Sequence, residues 1–172
     1  MAVVILDFQR KLAIDRDRLE RHALLGLRSI RKSSANLTIV LVNDRRMRAL
    51  NATYRNKNRT TDVLSFEPGP AIPGTTPRSR FLGEIVIALP RAFSQAKKLG
   101  ITLDDEVSNL LIHGLCHLLG YDHEKGDREA LEMKRAEEKM ARAILKNEPG
   151  EGAATSISGK IPDALLKGGI QN

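Results

Sequence analysis

Residues 113–123 read HGLCHLLGYDH and hold three of the chain's four histidines. Positions four apart on an α-helix differ by about 40° around its axis, so His113 and His117 stand one above the other. Val107, Leu111, Gly114 and Leu118 form a stripe roughly 100° away that faces a core. Gly120 can take the left-handed conformation that stops a helix, and the chain then turns back far enough for His123 to join the pair. The segment therefore requires a central helix buried on one side, a tight stop and a returning loop.

Two helical imidazoles and a third from the following loop make a facial set suited to zinc, which accepts neutral imidazoles and leaves a fourth position for water. Imidazole alone does not exclude manganese, iron or nickel. The bland reading, histidines used for packing or capping, suits the isolated His22 better than this triple spacing. Cys116 lies about 100° from His117 and is expected to point elsewhere. Asp122 is placed either to orient a ligand imidazole or to serve the turn and the helix after it. Metzincin proteases share the spacing H-x-x-x-H-x-x-G-x-x-H but put a glutamate directly after the first histidine as general base. Here Gly114 holds that position, so peptidase chemistry loses its base.

The remaining elements are read around this helix. VVILDF (3–8), NLTIVLVN (36–43), DVLSFE (62–67) and FLGEIVIAL (81–89) read as strands. DRDRLERHALLGLRSIRK (15–32) is an amphipathic helix, and NDRRMRALNATYR (43–55) a second, with Met47, Leu50 and Tyr54 on one face. PRAFSQAKKLG (90–100) is a short third helix. TLDDEVSNLLIHGLCHLLG (102–120), capped by Thr102 or Asp104, is the central one, and GDREALEMKRAEEKMARAILKN (126–147) is the last. The Pro-rich stretch 67–80 is expected to be a surface loop or flap. Interleaved strands with a helix-rich C-terminal half predict an α+β fold, a small four-stranded mixed sheet packed with about five helices around the histidine helix. The 172 residues suit one domain, expected at 1–147, with a Gly-rich flexible tail at 148–172.

No apolar run approaches the length that spans a bilayer, so no membrane association is expected. A single cysteine suits a reducing compartment, which points to the cytoplasm. Residues 1–60 carry 14 Lys or Arg against 5 Asp or Glu, within a net charge of +7. That imbalance fits either a polyanionic partner, RNA or DNA first, or a solvated basic helix face. With two Tyr and four Phe, an aromatic platform for base stacking is not expected.

HGLCHLLGYDH resembles the signature of the YbeY family of bacterial endoribonucleases, H-G-x-x-H-L-x-G-Y-D-H, glycine included. LNATYRNKNRTTDVLSF (50–66) and FLGEIVIAL (81–89) resemble that family's second and third blocks, in the same order, and the likeness covers roughly residues 36–145. The resemblance implies a zincin-like domain, one zinc held by His113, His117 and His123, and single-strand-specific RNA cleavage with Arg55 and His113 as catalytic residues. It also implies a role in 16S ribosomal RNA 3′-end maturation and ribosome quality control, with the small ribosomal subunit and ribosomal or GTPase proteins as partners. The sequence departs from the family at Cys116 and beyond 148.

On chemistry alone Arg55 could grip a phosphate in a bidentate fork, or be a plain surface arginine. Arg45, Arg46, Arg48, Lys57 and Arg59 could line the path of an RNA backbone. Nothing obvious replaces the missing glutamate; Asp62 and Glu84 are candidates by position only. Whether water or the RNA 2′-OH attacks is left open. Two alternatives stand: a non-catalytic zinc-containing ribosome-assembly factor, which would want a fourth protein ligand, and a metallopeptidase.

Overall fold

A computed structural model describes residues 2–69, 80–123 and 125–148. In chain order the elements are β1 (Val3–Asp7), α1 (Arg16–Ser29), β2 (Asn36–Val42), α2 (Asp44–Arg55), β3 (Val63–Phe66), β4 (Phe81–Ala88), α3 (Leu89–Leu99), α4 (Leu103–Leu118) and α5 (Asp127–Lys146). The sheet order is β1-β2-β4-β3; β1, β2 and β4 run parallel, and β3 pairs antiparallel at the edge. The expected α+β architecture, four mixed strands and five helices, is what forms. Of the expected flap, residues 70–79 lie outside the described residues, as does the expected tail beyond Glu148.

The two central strands are covered on both faces, which is why they read as unbroken apolar runs. On one face Leu37, Ile39, Leu41, Ile85 and Ile87 meet Leu27 of α1, Leu111 and Leu115 of α4 and Met140 of α5, all fully buried. Each such side chain contributes about 1.5–3 kcal/mol when removed from water. On the other face Val42, Leu64, Val86 and Ala88 are packed with Met47 of α2. Helices α4 and α2 therefore lie on opposite sides of the sheet.

Of the two caps expected for α4, Thr102 does the work. It accepts from the Asp105 amide while the Asp105 carboxylate reaches back to the Thr102 amide. Such a reciprocal cap is worth about 1 kcal/mol. His22 is buried between the Ser108 hydroxyl, 2.8 Å away, and the Glu148 carboxylate. Arg18 donates to the same Glu148 and to Asp105, which ties the end of α5 to α1 and α4. Among the described residues no helix is long and apolar enough to cross a membrane.

Candidate metal centre

The local geometry of 113–123 follows from how α4 ends. Gly120 adopts φ +85°; its amide donates to the His117 carbonyl at 2.9 Å, and the Tyr121 amide donates to the Cys116 carbonyl at 3.1 Å. This pair of bonds is a Schellman stop, which needs the left-handed residue that glycine supplies without strain. The returning loop sets the His123 ring 5.5 Å from that of His113 and 5.4 Å from that of His117, centre to centre. The Nε2 atoms of His113 and His117 are 3.0 Å apart, and one ring nitrogen from each histidine lies within 4.8 Å of the others.

Those distances match one first-row cation. Zinc–imidazole bonds of about 2.0–2.1 Å in a tetrahedral arrangement put neighbouring nitrogens roughly 3.3 Å apart. Burial, followed by the nearness of His113 and His123, holds His117 below its ordinary pKa and keeps it in the neutral form a metal needs. His113 Nδ1 sits 2.9 Å from the Glu137 carboxylate of α5. An acceptor there puts the proton on Nδ1 and leaves Nε2 with its lone pair. The donor set therefore fits a divalent transition metal held by three imidazole nitrogens.

Glu137 supplies an orienting carboxylate for His113. Asp122 pairs with Lys125 at 3.7 Å and is also close enough to His117 to act on its charge. Glu137 was not singled out from sequence, being one of five acidic residues on α5, and only the packing of α5 against α4 selects it. Cys116 is fully buried on the core side, and burial, with the Glu137 charge second, pushes its thiol up. It does not belong to the group of converging nitrogens.

Gly114 has a structural reason for its place. A Cβ there would stand 2.8 Å from Ile85 Cγ2, and 3.1 Å from both Ile85 Cδ1 and Ser65 Oγ. The helix leans directly on β4 at this point, and Ser65 Oγ donates to the Gly114 carbonyl at 3.1 Å. A glutamate at 114 would point into the sheet, so the missing peptidase base cannot be restored by that one substitution.

Neither positional candidate for a general base lies at the histidines. The Asp62 carboxylate accepts from the Val63 amide at 2.9 Å and from Gln95 at 2.8 Å. Glu84 alternates with Gly83 and Ile85 and faces away from α4. Arg55 is exposed in the last turn of α2. Arg45, Arg48 and Arg59 line one open cleft of about 520 Å³ with Asp44, Asn58 and Thr60. Arg46 leaves that group, its guanidinium lying 4.2 Å over the Phe8 ring.

A family model described as Endoribonuclease YbeY matches residues 6–145. An Aquifex aeolicus protein of that name is 39% identical over 128 residues, covering 74% of this chain and 83% of the relative. A Myxococcus xanthus protein of that name is 48% identical over 108 residues, covering 63% of this chain and 36% of a longer relative. The solution structure of a Thermotoga maritima protein aligns with TM-score 0.58 at 25% identity, covering 92% of this chain and 99% of that one.

Proposed function

Because the chain belongs to the YbeY family of endoribonucleases, we propose that it is a zinc-dependent enzyme that cuts single-stranded RNA. Its place is 16S ribosomal RNA 3′-end maturation and ribosome quality control in the cytoplasm, with the small ribosomal subunit and ribosomal or GTPase proteins as partners. The observation that supports this best is the convergence of His113, His117 and His123 within 4.8 Å, with Gly114 where a peptidase would carry its base.

In this reading those three histidines hold the metal. A bound zinc supplies Lewis-acid polarisation at a phosphoryl oxygen or at water. Glu137 holds the His113 proton at Nδ1 and so keeps the ligand nitrogen free. Arg55, a permanent cation with a planar fork, grips non-bridging phosphate oxygens and offsets the charge that grows on them during cleavage. Arg45, Arg48 and Arg59 hold flanking phosphates in their shared cleft.

The test is cleavage of an RNA containing the 16S 3′ precursor region by wild type, His113→Ala and Arg55→Ala. One wild-type sample is stripped by chelator and reloaded with zinc. Loss of cutting in both variants, with recovery on reloading, is expected. Equal cutting in every lane would assign the activity to a contaminant. No cutting in any lane would favour the assembly-factor reading.

A further inference from the structure

The stripe of α2 that faces the sheet runs through Met47, Leu50 and Tyr54. Met47 is fully buried, yet Tyr54 at the far end of the same stripe is 63% exposed. The cause is topological: β3 is the sheet edge, Phe66 is its last residue, and Tyr54 overhangs it. The two rings meet edge to face, centroids 5.1 Å apart at 68°, which fixes the tyrosine while leaving ring surface open to solvent.

The surroundings of that ring select its occupant. Residues 53 and 55–59 are all exposed and polar, Arg55, Lys57 and Arg59 among them. Among the residues that flank it in sequence, the ring is thus a flat apolar surface set among cations. Single-stranded RNA alternates charged phosphates with flat unpaired bases, and its binders pair cations with free aromatic faces. On the other face of β3, Ser65 holds the carbonyl of Gly114, the residue after His113. The edge strand that backs the ring through Phe66 therefore also braces, through Ser65, the helix turn that carries His113.

We propose that Tyr54, backed by Phe66, is a base-stacking platform that positions single-stranded RNA beside the cleavage site. This rests on the nuclease reading above and runs against the sequence-based expectation that base stacking on an aromatic platform is not the binding mode. Tyr54 is a positioning residue: its removal loosens substrate and leaves the chemical step intact.

The test uses zinc-loaded full-length protein and oligouridylate. Tyr54→Ala is expected to raise KM roughly five- to a hundredfold, the range set by losing one base stack, with kcat little changed. Tyr54→Phe keeps the wild-type KM. Because the chain has no tryptophan, Tyr54→Trp installs a single reporter, whose emission should be quenched in the fast phase of mixing with oligouridylate, ahead of turnover. An abasic ribose-phosphate oligomer of equal length should bind wild type and Tyr54→Ala alike and quench nothing. An unchanged KM in Tyr54→Ala, an unquenched Tyr54→Trp, or equal loss of abasic binding would each overturn the proposal. The last would mark the ring as a structural or protein-docking element. A wild type that neither binds nor cuts RNA would remove the nuclease premise first, and the platform with it.

Discussion

Gly114→Ala is the sharpest probe of how the histidine helix is seated. An alanine in a helix interior normally gains about 1 kcal/mol over glycine. Here the new methyl arrives 2.8 Å from Ile85 Cγ2, on a fully buried side chain of the inner strand β4. Overpacking at such a site costs about 1–3 kcal/mol. Displacing Ser65 from its bond to the Gly114 carbonyl costs about 1 kcal/mol more. The net is a destabilisation of about 1–3 kcal/mol, read as a melting point lower by roughly 2–12 °C for a chain of this size. The assay is thermal unfolding of Gly114→Ala, Ile85→Ala and the double variant. Ile85→Ala alone should cost about 2–5 kcal/mol by leaving a cavity. In the double variant the methyl at 114 enters that cavity, so the losses should fall short of additive by about 1 kcal/mol or more. A single variant that melts at or above wild type, or strictly additive losses, would refute the argument that contact with β4 dictates the glycine.

Replacing Glu137 with alanine should weaken zinc binding about 10–100-fold, measured by competition with a chromogenic chelator; an unchanged affinity would remove it from the site. Cys116→Ala should leave one zinc per chain, and the wild-type thiol should resist a disulfide reagent until the protein is unfolded; rapid labelling of the native protein would contradict its burial. Glu106 is buried, and burial, with Asp62 adding to it, raises its pKa. A raised folded-state value means that its contribution is present below its unfolded pKa and is lost as pH rises through the folded one. Melting scans should therefore show Glu106→Gln gaining on wild type as pH rises from the acid range to neutrality, and a pH-independent difference would contradict the assigned shift.

What could be read from sequence was local in origin. The spacing of His113 and His117, the Gly120 stop and the Thr102 cap are each written within one or two helical turns, where backbone geometry leaves little choice. Strand positions in β2 and β4 were legible because burial on both faces demands unbroken apolar runs. What escaped depends on how distant elements meet. Glu137 reaches His113 only through the register of α5 on α4. Tyr54 fits the core pattern of α2, and only the position of β3 at the sheet edge exposes it. Arg46 was grouped with its basic neighbours, but its place on the helix turns it toward Phe8. Asp62 and Glu84 were candidates by position only; one is bound by Gln95 and the other lies on the far face. Gly114 could be read chemically from a motif comparison, while its steric role needed Ile85 across the interface.

The three converging imidazoles come from eleven consecutive residues, HGLCHLLGYDH, so bringing them together closes a very short loop and costs little chain entropy. The partner carboxylate of Glu137 comes from a separate helix, and the sheet beneath is built from strands distant in sequence. The donor atoms are thus a local property of one helix and its turn, whereas their orientation is a property of the whole fold, set where α5 packs on α4.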